Sequence, residues 1–263
     1  MLRFAANLTL LFTELPFAER FAAARAAGFR AVECQFPYVE VTPEALAQLL
    51  RANALELALF NLPAGDWAAG DRGIACDPAR IDEFRAGVAQ ALVYAAATGC
   101  QRLNCLAGLL PKGVTQAEAE AVLADNLTFA AAQLARHGLT LLVEPINTFD
   151  VPGFLLDGSQ AACALINRVG APNLKLQYDL YHMWRMGDDV AARLDELAGM
   201  IGHIQFADHP GRHEPGTGDL PFAALFAWLA AASYDGWVSA EYHPATTTLA
   251  SLGWLNATRR TTA

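Results

Sequence analysis

The chain has 263 residues, enough for one large domain or two small ones and about what a single α/β barrel needs. It carries 18 Lys and Arg against 27 Asp and Glu, a formal net charge of −9 without a basic run, which argues against nucleic acid as a partner. Five cysteines with no CxxC pair form neither a disulfide framework nor a zinc ribbon, and are expected as small buried hydrophobes in a reducing cytoplasm.

No apolar run reaches the roughly 18 residues of a membrane span. Asn7, Thr9 and Glu14 interrupt the first apolar stretch too early for a signal peptide.

Along the chain one phrase repeats: an alanine-rich helix, a glycine, a short apolar run, then a polar residue. A first strand ends at Asn7. A helix opens at Pro16, sets Phe17, Phe21 and Ala24 on one face and closes at Gly28, before the strand Ala31-Val32-Glu33. Asn53 stops the next helix ahead of a strand ending at Asn61, and Gly99 does the same for the strand ending at Asn104. Thr115 and Glu118 form a capping box on a helix that runs to His137-Gly138, followed by Leu139 to Glu144. Gly170, Gly199 and Gly236 precede strands that end at Asp179, Gln205 and Glu241.

Alternating strands and helices imply right-handed crossovers and a parallel sheet. Eight units favour closure into a (β/α)8 TIM barrel, and no G-x-G-x-x-G marks a dinucleotide fold. The expectation is one catalytic domain over residues 1–263, with all eight strand ends facing one mouth, where barrel active sites sit.

Glu144, Asp179, Gln205 and Glu241 end four consecutive strands, about one β/α unit apart, so they converge on one side of the mouth. Three carboxylates and an amide offer hard oxygen ligands, suited to Mg2+ or Mn2+ rather than zinc. Without a cation at least one carboxylate would stay protonated. His182, close behind Asp179, is placed to reach a substrate oxygen. Arg212 lies in the Gly-rich loop His209–Gly218 and is the leading partner for a substrate carboxylate, which a guanidinium grips as a fork. Asn61 opens a long Gly-rich loop to Gly73 in which Trp67 would cover the mouth and Arg72 would be a second anion contact.

At these residues the chain resembles the hydroxypyruvate isomerase family, within the xylose-isomerase-like barrel superfamily. The resemblance is carried by Arg3-Phe-Ala-Ala-Asn7-Leu, Asn61-Leu-Pro-Ala-Gly-Asp-Trp67, Glu144-Pro-Ile-Asn147, Gln177-Tyr-Asp-Leu-Tyr-His182, His213-Glu-Pro-Gly and Gly236-Trp-Val-Ser-Ala-Glu241-Tyr. It runs in one register from about residue 2 to residue 254. It implies that Glu144, Asp179, Gln205 and Glu241 hold a divalent metal and that Glu144 and Glu241 exchange the substrate proton. Related ketose 3-epimerases usually carry histidine where this chain has Gln205, which bears on metal affinity. Some close relatives act on 2-oxo-tetronate, and Phe12-Thr-Glu-Leu-Pro-Phe17 resembles them, whereas the Asn61–Trp67 and Glu144–Asn147 blocks point to hydroxypyruvate.

The implied reaction interconverts hydroxypyruvate and tartronate semialdehyde through an enediolate, with no nucleotide cofactor because it is internally redox-neutral. A glyoxylate-linked role in carbohydrate acid metabolism would follow. The expected partners are a small hydroxy-oxo acid and, as a possibility, further copies of the chain, with neither nucleic acid nor membrane. Alternatives are a 2-oxo-tetronate isomerase, a ketose 3-epimerase and a barrel that only binds a sugar acid.

Overall fold

The computed structural model describes residues 2–232 and 234–255. Eight strands close in sequence order into a parallel barrel: β1 (Arg3–Asn7), β2 (Ala31–Cys34), β3 (Glu56–Asn61), β4 (Arg102–Cys105), β5 (Thr140–Val143), β6 (Leu174–Asp179), β7 (Ile201–Phe206) and β8 (Trp237–Ala240). β8 pairs with β1, so no edge is left open.

Helices α1 (Phe17–Ala26), α2 (Pro43–Ala52), α3 (Ile81–Thr98), α4 (Gln116–Ala135), α5 (Ser159–Val169), α6 (Leu180–Arg185), α7 (Val190–Leu197), α8 (Phe222–Ala231) and α9 (Thr248–Ser251) follow the strands in turn. Among the described residues no helix is long and apolar enough to cross a membrane.

The local chemistry explains most of the boundaries. Pro43 starts α2 behind a Thr42 cap, and α4 opens on the full Thr115–Glu118 capping box. Gly99 and Gly170 end α3 and α5 in the left-handed conformation, at φ 74° and 66°. After α2 the left-handed residue is Ala54 (φ 49°) rather than Asn53, while Gly199 and Gly236 do not adopt positive φ. The helix stop was readable there; the residue that bears the turn was not.

Around β1, β7 and β8, Phe4, Phe206, Phe226 and Trp254 stack edge to face with centroids 5.1 to 6.2 Å apart. Trp254 also donates to the Tyr242 hydroxyl, directly beyond Glu241. This packing fixes β8 and the residue that leaves its end.

Candidate active site

All eight anticipated strand-end residues are buried at the same end of the barrel: Asn7, Glu33, Asn61, Asn104, Glu144, Asp179, Gln205 and Glu241. Neighbouring strands hold Asn7 opposite Glu33, Asn61 opposite Asn104 and Asp179 opposite Gln205. Glu144 and Glu241 are the first residues beyond β5 and β8.

Glu144, Asp179, Glu241 and His182 offer ligand atoms that lie within 4.8 Å of one another. Glu144 Oε2 accepts from Asn104 (2.9 Å) and Gln177 (2.8 Å). Glu241 Oε1 accepts from Asn7 and Gln35, and Oε2 from the Arg212 guanidinium at 2.8 Å. Asp179 Oδ1 caps the Tyr181 N–H, while Oδ2 is buried without a hydrogen bond, 3.6 Å from His182 Nε2.

Burial pushes all three carboxyls up. Glu144 moves well above the usual carboxylate range, with Glu241 and Asp179 adding like-charge repulsion. Burial raises Glu241 to about 7, against the pull of Arg212, and Asp179 to about 6. The same burial, with the positive charges of Arg212 and Arg185, holds His182 well below the ordinary histidine value, so its ring stays neutral.

A second polar layer backs this one. Glu33 accepts from Asn7 and Gln205 on Oε1 (2.9 and 2.7 Å) and pairs with His203 Nε2 through Oε2 at 2.9 Å. Burial would raise its carboxyl, but the His203 hydrogen bond and charge, with Gln205, pull it below the usual value. Gln205 thus turns its amide nitrogen to Glu33. Its oxygen accepts from Gln177 Nε2, the same nitrogen that meets Glu144.

The loop after β7 is folded around Asp208, whose carboxylate accepts from the backbone N–H of Gly216, Gly218 and Leu220. A Cβ at Gly218 would run into the His209 carbonyl, so only glycine allows that closeness. The result places Arg212, at φ 53°, with its carbonyl bonded to His243 N–H and its guanidinium over the Tyr181 ring at 5.3 Å. Its side chain is 21% exposed, yet Nε is buried and unpartnered.

Sequence reasoning placed His182 as a substrate contact; the structure puts it inside the acidic group. Arg212, expected on a substrate carboxylate, is here engaged with Glu241. Asn61 accepts from Asn104 at 3.2 Å. Trp67 leans on Phe36, next to Gln35, with centroids 5.1 Å apart and 42% of its surface exposed. Arg72 stacks on Trp67 and bonds to the carbonyls of Trp67 and Asp71, so its hydrogen bonds stay within its own loop. Sequence reasoning passed over Gln35, Asn147 and Gln177 as site residues. The period of two along β2 and β6 carries a signal for two of them: Gln35 follows Glu33, and Gln177 precedes Asp179, on the same inward face.

The donor set fits a divalent cation. Three buried carboxylates face one another with one guanidinium among them, and Asp179 Oδ2 lacks any hydrogen-bond donor. A hard cation would relieve both the repulsion and the orphaned oxygen.

Residues 21–258 match the Xylose isomerase-like TIM barrel family. The chain is 50% identical over 259 residues to the hydroxypyruvate isomerase of Escherichia coli, spanning 98% of this chain and 100% of that protein. It is 47% identical to the 2-oxo-tetronate isomerase of Cupriavidus necator, over 97% and 98% of the two chains. A crystal structure from Brucella melitensis, described as an AP endonuclease of family 2, superimposes with a TM-score of 0.95 at 42% identity, covering 98% and 99%. With a closed eight-stranded barrel and full-length likeness of this strength, the chain belongs to the xylose isomerase-like TIM barrel family and groups within it with the hydroxypyruvate isomerases.

Proposed function

We propose that this isomerase interconverts hydroxypyruvate and tartronate semialdehyde, moving a proton from C3 to C2 of a 3-hydroxy-2-oxo acid. The observation that supports it most is the facing pair Glu144 and Glu241, buried beyond different strands, with the Arg212 guanidinium bonded to one of them.

In this reading, the substrate carboxylate docks on the free Nε–H edge of Arg212, satisfying an otherwise orphaned donor. Glu241, whose ionised form the guanidinium favours, removes the C3 proton. Glu144, facing Glu241 across the acidic group, returns a proton to C2 of the enediolate. The hydroxyl proton passes from O3 to O2, with His182 beside that path. A divalent cation, Mg2+ or Mn2+, held by Glu144, Asp179, Glu241 and the Gln205 oxygen would stabilise negative charge on the substrate oxygens. Trp67 and Phe36, in contact beside Gln35, would cover the rim of the site.

The 47% identity to a 2-oxo-tetronate isomerase favours a second reading with the same proton movement on a substrate one carbon longer. The endonuclease description of the Brucella protein does not carry over: a charge of −9 opposes a polyanion, and the acidic group holds one histidine. One catalytic domain, a cytoplasmic setting and a glyoxylate-linked role complete the proposal, and five unpaired cysteines agree with a reducing compartment.

The test is a kcat/KM panel on purified, Mg2+- or Mn2+-loaded protein with hydroxypyruvate, 2-oxo-tetronates and neutral ketoses. Hydroxypyruvate should lead. A neutral ketose in first place would move the chain to the epimerases.

A further inference from the structure

We propose that Asn147 is a positioning residue: it fixes the proton of His182 on Nε2, which makes His182 a hydrogen-bond donor in the site and withdraws it from the metal ligands. The inference rests on the proposed cation site and is independent of which acid is the substrate.

Asn147 lies three residues beyond Glu144 and is fully buried. Its amide has only one orientation consistent with its surroundings. Oδ1 accepts from the backbone N–H groups of Phe149 (3.1 Å) and Asp150 (2.8 Å), and a backbone N–H can only donate. The nitrogen therefore occupies the other side. One of its hydrogens goes to Asp150 Oδ2 at 3.0 Å, and the other points at His182 Nδ1 at 2.6 Å. An N–H facing a ring nitrogen requires a lone pair there, so Nδ1 is bare and the proton of the neutral ring sits on Nε2.

The wedge that aims Asn147 is itself held. Asp150 accepts from the Tyr181 hydroxyl and from Arg185, each at 2.8 Å, and Arg185 also reaches the Tyr181 oxygen. Asp150 spends its oxygens on Asn147, Tyr181 and Arg185, and the hydrogen-bond partner of Nδ1 is the Asn147 amide nitrogen.

Nε2 is the nitrogen on the acidic side of the ring, 3.6 Å from Asp179 Oδ2. Carrying a proton, it has no lone pair for a cation. A histidine that binds metal through one nitrogen normally donates the other N–H to a carboxylate or carbonyl. Here the partner is a donor, the opposite arrangement. His182 therefore presents an N–H to the acidic group, too far from Asp179 Oδ2 at 3.6 Å to bond it and so available to a substrate oxygen. Gln205 is left as the fourth ligand of the proposed cation site: Glu33 takes its amide nitrogen, and its oxygen accepts from the Gln177 amide that also donates to Glu144.

Imidazole 15N NMR on histidine-labelled, metal-free protein reads the tautomer directly, with His182→Phe identifying the relevant pair among six histidines. The native protein should show a protonated Nε2 and a bare Nδ1. In Asn147→Asp, read above the pH at which the new carboxyl facing Asp150 ionises, a carboxylate accepts where the amide donates, so the proton should move to Nδ1. The bare Nε2 should then raise affinity for Zn2+ alone by about tenfold or more, the usual scale for such partners of a metal ligand. A native spectrum with the proton on Nδ1, or an unchanged tautomer in Asn147→Asp, would overturn the proposal.

Should Asn147→Asp not fold, the native spectrum and a Mn2+ titration of His182→Phe decide. Mn2+ affinity within about tenfold of native is expected, and a larger loss would make His182 a ligand after all. Neither measurement contains substrate, so failure to turn over hydroxypyruvate would leave this result standing, and the reverse.

Discussion

Glu33 and Glu241 flank β1, share the Asn7 amide as a donor at 2.9 Å each, and are both shut away from water. Each accepts three side-chain hydrogen bonds, from Asn7, Gln205 and His203 in one case and from Asn7, Gln35 and Arg212 in the other. Their carboxyls nevertheless move in opposite directions, Glu33 down and Glu241 up to about 7. The number of donors does not separate them, but their quality does: against the same burial, His203 gives Glu33 a strong hydrogen bond and a favourable charge of its own, whereas Glu241 shares one guanidinium with Asp179 and Glu144. The lower layer is an internally satisfied anion that shapes the barrel. The mouth carries a surplus of negative charge, which suits proton transfer and invites a cation.

Removing the mouth acids should therefore hurt turnover most. Glu241→Gln and Glu144→Gln, each assayed with saturating Mn2+ and measured metal content, should lose about 10²- to 10⁴-fold in kcat. Glu144→Gln should not melt earlier than native protein in the metal-free state, since it deletes a like-charge contact, whereas Glu241→Gln also breaks the Arg212 pair and should melt earlier. In D2O, Glu144→Gln should still wash deuterium into C3 while Glu241→Gln should not. A metal-loaded Glu241→Gln with near-native turnover would take that residue out of the chemistry.

Glu33 should behave the other way. Glu33→Gln leaves His203, Asn7 and Gln205 donors facing an amide, and breaking a buried pair costs about 3–5 kcal/mol. Urea unfolding should show that loss. A midpoint unchanged from native would mean the lower layer adds nothing to folding and that the contrast with the mouth is only positional.

Much of this geometry was legible in the sequence, for a physical reason. A parallel strand buried on both faces is apolar until its last residue, so the polar residue that ends the run marks the mouth. That rule located Glu144, Asp179, Gln205 and Glu241. It also located Glu33 and Asn7, but could not tell a satisfied acid from a frustrated one, because His203 lies 170 positions from Glu33. Arg212 was readable as a site cation from its glycine-rich loop, yet its contact with Glu241 depends on how Asp208 folds that loop. The orientation of an amide such as Asn147, set by two backbone N–H groups, has no sequence signature at all.

Arg212 tests whether the guanidinium beside Glu241 reads substrate as well. A lost charge-assisted contact is worth roughly 1.5–3 kcal/mol, so Arg212→Ala should lower kcat/KM for acid substrates about ten- to hundredfold more than for neutral ketoses. Equal losses for both classes would confine the residue to holding Glu241.

The smallest expected effect follows from the same contrast and concerns stability against pH. In the metal-free protein, Glu241 titrates near 7 and Asp179 near 6, against ordinary values of 4.5 and 3.8. Between those limits the folded state binds more protons than the unfolded chain, so their contribution is complete below the ordinary values, falls as pH rises above them, and is lost by about 6 and 7. Glu33, with its lowered carboxyl, contributes in the opposite sense: its share is present above the ordinary value and disappears only as pH falls through its folded pKa. Stripped protein should therefore melt at a higher temperature near pH 5 than near pH 8. A tenfold change in a carboxyl's proton affinity on folding is worth about 1.4 kcal/mol at most, and coupling among the acids makes the total less than their sum. A bound cation needs the carboxylates ionised, so loading with Mn2+ should remove this alkaline loss, release protons and open the widest gap in Tm near pH 8. Thermal melts of stripped and Mn2+-loaded protein across that range give the answer. Stripped protein that is as stable near pH 8 as near pH 5 would mean that the mouth acids are not held protonated and that the two layers differ less than their surroundings imply.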